Sequence, residues 1–147
     1  MRLSLPLVGR AMGLDQYAGF RDTEGEVHDS FYWRKHARLQ VFFAKEFVEQ
    51  HKNLPKKEYA GGFFGDLSHL GFNGGEGGVK ITKELINRLD TERQKGYPNC
   101  VAEDGFFWGQ RSQEATVRKY KAQDEDFVNW CREQLEAGKD IAYDCSW

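Results

Sequence analysis

Cysteine is scarce in this chain. Its three copies, Cys100, Cys131 and Cys145, are odd in number, widely spaced and outside any C-x-x-C arrangement, so neither a disulfide framework nor a zinc ribbon is signalled. That usage fits a reducing cytoplasm. Apolar runs extend only a few residues, far short of the roughly 20 that a membrane-spanning helix needs. The opening "MRLSLPLVGRA" is interrupted by Pro6 and is too brief for the apolar region of a secretory signal. Neither sign of charge dominates: 21 basic and 23 acidic residues leave a net charge of −2, which gives no global field toward DNA, RNA or an anionic membrane. The four histidines, His28, His36, His51 and His69, include no H-x-x-x-H or H-E-x-x-H pair that would set two ligands on one helix face. No metal and no cofactor are called for.

Aromatic residues are abundant. A chain of 147 residues with 11 Phe, 6 Tyr and 4 Trp can close one core with few large side chains, because each ring buries about 150–250 Å². Residues 13–20, "GLDQYAGF", partly alternate apolar with polar positions and predict a short strand. After a loop at "RDTEGEVHD", Asp29 or Ser30 can cap a helix over 30–50. Tyr32, His36, Leu39, Phe43 and Phe47 would form its apolar stripe, with Arg34, Arg38, Lys45 and Glu49 on the wet side. Eight glycines between residues 60 and 78 defeat a regular helix, yet Phe63, Phe64, Leu67, Leu70 and Phe72 predict an ordered loop pinned to the core rather than a linker.

Further on, Thr82 can cap a helix over 83–94, which Gly96-Tyr97-Pro98 would end. "GFFWG" at 105–109 reads as a short buried strand or a tight loop. A long helix is expected over 113–137, where Val117, Tyr120, Phe127, Cys131 and Leu135 form a stripe broken only by Asp124, with Gly138 as its left-handed stop. Cys131 on that stripe reads as a buried small hydrophobe. "DIAYDCSW" supplies a final strand over 140–147 with Ile141, Tyr143 and Cys145 on one side.

These elements predict an α+β fold: a single domain over residues 1–147, with two long helices and one shorter helix packed on a small, mainly antiparallel sheet. Helices 30–50 and 113–137 should touch. Trp33, Phe43, Phe47, Phe107, Phe127 and Tyr143 are expected in the core.

Chemistry is harder to find. "GFNGGEGGVKIT" matches neither G-x-x-x-x-G-K-[S/T] nor G-x-G-x-x-G, and Glu76 would repel a phosphate held among its glycines. There is no G-x-S-x-G elbow. Asp15, Asp66, Glu103 and Asp104 have apolar neighbours and could converge, although carboxylates at turns usually cap backbone groups. "SFYWRKHARLQ", residues 30–40, could stack bases beside phosphate-gripping cations, but a helix would turn the rings inward and the cations to water. Nucleic acid is therefore disfavoured as a partner. Arg34 and Arg38 would form an i, i+4 pair able to clamp an anion or a partner's carboxylate. His36 reads as a buried imidazole bonded to a neighbour.

Four stretches, "MGLDQYA" at 12–18, "WRKHARLQ" at 33–40, "DGFFWG" at 104–109 and "YDCSW" at 143–147, resemble a family of small uncharacterised proteins of tailed bacteriophages, particularly phages of marine cyanobacteria. The likeness runs through most of the chain from Met12, and is looser in the glycine-rich middle. Similar proteins start at the Met-Gly that is here Met12-Gly13, so residues 1–11 would be a non-core extension. The resemblance implies an accessory protein of the infected host's cytoplasm and carries no activity, cofactor or catalytic residue.

The function expected from these readings is non-enzymatic binding of a host or phage protein, with a homo-oligomer as a further option. Its rival is a binding protein or enzyme for a nucleotide or anionic metabolite, with a pocket built from Asp15, Tyr17, Arg34, His36, Arg38, Asp104 and Trp108.

Overall fold

A computed structural model describes residues 13–52, 78–102 and 109–146. The expectations for residues 1–11, most of the glycine-rich stretch, Phe107, Asp104 and Trp108 lie outside the described residues.

The alternating segment at the start forms β1 (Asp15–Phe20). It is followed by β2 (Phe31–Arg34), α1 (Ala37–Gln50), β3 (Val79–Lys80), α2 (Lys83–Gln94), α3 (Gln110–Lys119), α4 (Lys121–Glu136) and β4 (Ile141–Ser146). The fold is α+β, with four helices among the described residues and a four-stranded sheet of order β2-β1-β4-β3. Every pairing in it is antiparallel.

The pairing register explains the core. Gln16 lies opposite both Trp33 and Cys145, and Ala18 opposite both Phe31 and Tyr143, so these side chains share the face on which the helices pack. Phe43 of α1 stacks on Tyr143 at 3.9 Å, and Phe127 of α4 meets Trp33 edge-on at 5.0 Å. Trp33, Phe43, Phe47, Phe127 and Tyr143 are all fully buried, as the sequence led one to expect. On the opposite face Tyr17, Val27 and Ala142 form a smaller buried cluster.

Two expected helices are corrected. The helix placed over 30–50 begins only at Ala37, because residues 31–34 pair with β1 as a strand. Alternation then buries Trp33 while Tyr32 and Arg34 face outward, and Lys35 turns the chain with a left-handed φ of 58°. The cap is His36, whose side chain accepts the Leu39 N–H, rather than Asp29 or Ser30. The helix placed over 113–137 begins at Gln110 and is broken at Tyr120, which ends α3 and starts α4. Thr82 does cap the helix over 83–94.

The break at Tyr120 has a use. Tyr120 Oη accepts the Arg34 N–H at 2.9 Å and Gln123 donates to the Tyr32 carbonyl at 2.7 Å, so side chains cover the outer edge of β2. An edge occupied in this way does not offer its backbone to another strand. At Gly19, crossing chain leaves no room for a side chain: a Cβ there would lie 1.6 Å from the His28 carbonyl oxygen.

No helix among the described residues is long and apolar enough to cross a membrane.

Candidate functional site

Asp124, the one residue that interrupts the apolar stripe of α4, is the centre of the buried polar structure. It is 3% exposed. Its Oδ1 accepts from Trp33 Nε1 at 2.7 Å, and its Oδ2 accepts from Tyr97 Oη at 2.8 Å and faces His36 Nε2 at 2.9 Å. Two segments far apart in sequence, residues 33–36 and Tyr97, thus converge on the carboxylate of α4, which is how a buried charge is tolerated in an apolar interior. Tyr120 stacks on the His36 ring at 5.4 Å, and Tyr97 meets it edge-on at the same separation.

The imidazole is fully enclosed. Because His36 Nδ1 accepts the Leu39 N–H, its proton belongs on Nε2, where it is donated to Asp124. Both ring nitrogens are therefore engaged inside the fold. Burial, reinforced by the adjacent Asp124 carboxylate, holds the Tyr97 phenol protonated well above the usual tyrosine range. Tyr97 also has a left-handed φ of 60°, a strained backbone for a bulky residue.

A second polar group adjoins the first. Gln16 Nε2 donates to the His36 carbonyl and to Tyr143 Oη, both at 3.0 Å, and Gln16 Oε1 accepts the His36 N–H at 2.8 Å. Tyr143 Oη in turn donates to Gln40 Oε1, and Gln40 Nε2 donates to Cys145 Sγ at 3.3 Å. Burial pushes the Tyr143 phenol well above its ordinary pKa. These bonds tie β1, α1 and β4 together, and their effect is to fix register and orientation.

Of the residues singled out from sequence, the five described ones, Asp15, Tyr17, Arg34, His36 and Arg38, lie in different settings. Arg34 reaches Asp15 at 2.9 Å on the outer face of the sheet, and Tyr32 Oη donates to the same carboxylate at 2.6 Å. His36 points into the core, since the turn at Lys35 separates it from that face. Tyr17 is buried in the outer-face cluster with Val27 and Ala142. Arg38 is not on a wet face: it is 7% exposed and donates to Gln113 Oε1 at 3.2 Å and the Gly96 carbonyl at 3.1 Å. Its bond to Gln113 joins α1 to α3, so the expected contact between these helical regions is present. The expected i, i+4 clamp of Arg34 and Arg38 does not form, because the two sit on different elements.

One concavity among the described residues was not foreseen. A groove of about 480 Å³ runs between α1 and α2, with Phe42 and Cys100 at its apolar floor and Lys45, Glu84, Arg88 and Thr91 among its walls. That volume is within the about 300–1,000 Å³ typical of binding sites. Arg88 is held by Glu46 at 2.6 Å, and Lys45 donates to the Asn99 carbonyl at 3.0 Å. Burial first, and Glu92 beside it, push the Cys100 thiol up to about 12, so it serves as floor and not as nucleophile. Among the described residues no group of three or more His, Cys, Asp or Glu side chains is placed to hold a metal ion. Comparison with known proteins finds no matching family model, curated protein or solved structure.

Proposed function

We propose that this chain is a non-enzymatic interaction protein, in keeping with the phage accessory role and host cytoplasm that its resemblance implies. It engages its partner through the groove between α1 and α2. The observation that carries this reading is the groove itself: a concave, apolar-floored surface in which the wall cations Arg88 and Lys45 are already fixed by internal bonds. A fixed wall costs little to order when a partner arrives. The engagement of both His36 nitrogens supports the same reading, since an enclosed imidazole with no unoccupied nitrogen has no means of reaching a substrate.

The partner that fits is a protein segment presenting one apolar side chain to Phe42 and Cys100, with a cation beside Glu84. The Glu84 side chain is 86% exposed and its ion pair with Arg88 is long, 3.8 Å, so a partner's cation can still reach it.

The test is capture from extracts of infected cells with the tagged chain. Thr91→Trp would fill the groove, and Glu125→Trp, on the exposed side of α4, serves as control. A polypeptide retained by the unmodified chain and by the control, and lost with Thr91→Trp, supports the proposal. Equal retention by both variants, or no specific polypeptide at all, overturns it.

A further inference from the structure

A second, smaller cavity lies directly outside Asp124, between the turn that follows α2 and the α3–α4 junction. It encloses about 200 Å³, and Arg93, Gly96, Tyr97, Arg118, Lys121 and Asp124 contribute to its lining. This is below the about 300–1,000 Å³ of sites that enclose a whole drug-sized ligand, and suits a small ion or the head group of a larger molecule.

Charge decides which. Several basic side chains elsewhere on this surface have acidic partners, among them Arg21 with Asp140, Arg34 with Asp15, Lys52 with Glu49, Arg88 with Glu46 and Arg132 with Asp90; what sets this cavity apart is that three cations line one small space. Arg118 and Lys121 have no carboxylate partner among the described residues, although Glu114 and Glu125 each stand four positions away on the same helix. Arg93 binds Asp90 through one terminal nitrogen at 2.7 Å, and its buried Nε–H meets no acceptor among the described residues. An enclosed donor left in this way is unfavourable until an acceptor reaches it. Among the lining residues Asp124 carries the one carboxylate, and it is already met by donors from Trp33, Tyr97 and His36.

We propose that this cavity is an oxyanion site, in which Arg93, Arg118 and Lys121 bind the phosphate or carboxylate group of a small ligand. Phosphate and carboxylate share the recognition chemistry of planar or tetrahedral oxygens meeting guanidinium and ammonium donors. The site is separate from the α1–α2 groove, and its existence does not depend on what that groove binds.

Titration of the full chain with inorganic phosphate, and in a second arm with acetate, is followed by amide NMR shifts at constant ionic strength. The expected result is saturable binding of at least one anion in the millimolar range, with the largest shifts at residues 93–97 and 117–124. Arg118→Gln/Lys121→Gln should weaken it at least tenfold, while Lys52→Gln/Lys83→Gln, which removes the same charge far from the cavity, should leave it within twofold. Both positions of the first pair are exposed, so its melting temperature should match that of the unmodified chain. Shifts that never saturate with either anion, or equal weakening by both double variants, would overturn the proposal.

Discussion

Replacing Asp124 is the sharpest perturbation of this fold, and its consequences can be worked out bond by bond. In Asp124→Ala the donors Trp33 Nε1, Tyr97 Oη and His36 Nε2 lose their acceptor in a fully buried setting. An orphaned buried donor costs about 1–3 kcal/mol, so the three together cost about 3–9 kcal/mol. A domain of this size has about 5–15 kcal/mol in total, so Asp124→Ala should lose a large fraction of its stability and unfold at much lower urea. Asp124→Asn is gentler. The amide keeps one acceptor oxygen but turns an NH₂ toward groups that also donate, for an expected loss of about 2–4 kcal/mol. Urea unfolding followed by circular dichroism measures both, and the order Asp124→Ala worse than Asp124→Asn should hold. The partner contribution is isolated by Trp33→Phe, which should cost clearly less in the Asp124→Asn background than in the unmodified chain. If Asp124→Asn costs under about 1 kcal/mol, the carboxylate is not the hub described above.

Other outcomes are open to direct measurement. Gly19→Ala should cost about 3 kcal/mol or more, since its Cβ would collide with the His28 carbonyl, whereas Gly96→Ala, with open space but a φ of 81°, should cost only about 1 kcal/mol. Phe127→Ala, in the centre of the core, should cost about 3–5 kcal/mol in the same urea assay. All three cysteines are buried, Cys100 has its thiol pushed up to about 12 and Cys131 is raised further by burial. A disulfide reagent at pH 8 should therefore label none of them in the native state within minutes and all three after denaturation. Acid sensitivity has a defined sign at Asp90. Burial opposes its ionised form, but the Gln94 hydrogen bond and the charges of Arg93 and Arg132 outweigh that and hold its carboxyl below the ordinary value. A lowered folded-state pKa contributes stability that is fully present above the unfolded value of about 3.9 and is lost as the pH falls through the folded value. The stability gap between the unmodified chain and Asp90→Asn should thus be constant above about pH 5 and close below the unfolded value.

Elements whose signals are local were readable in advance. Thr82 caps α2 because a hydroxyl ahead of an apolar stripe needs nothing beyond its own turn, and β4 announces itself by alternating Ile141, Tyr143 and Cys145. The strand at 31–34 was not readable, because three adjacent rings followed by cations satisfy a helical stripe and a strand equally well. Pairing with β1 settles it, and that pairing depends on residues 13 to 19 positions away. The break at Tyr120 carries no glycine or proline, so propensity gives no warning of it. Its cause is tertiary, with Tyr120 Oη occupied by the β2 edge and its ring by His36.

The buried site was half visible. Asp124 stands out on an apolar stripe as the residue that does not belong, and His36 stands out on another. Nothing in the spacing of 88 residues between them says that they meet, and only the packing of α4 on the sheet brings them to 2.9 Å. The groove between α1 and α2 left no mark in the sequence, since its walls are the ordinary charged faces of two helices. Arg38 shows the converse error. A cation in helical register with polar neighbours reads as water-facing, whereas α3 closes over it and supplies Gln113.

The claim that joins fold to function is that the enclosed imidazole and carboxylate are committed to holding the structure. A long-range ¹H–¹⁵N spectrum of the histidine side chains tests it most directly. The account predicts that His36 is a single tautomer with its proton on Nε2, protected from exchange with solvent, and a bare Nδ1. A proton on Nδ1, or an Nε2 proton that exchanges as fast as that of the exposed His28, would contradict it.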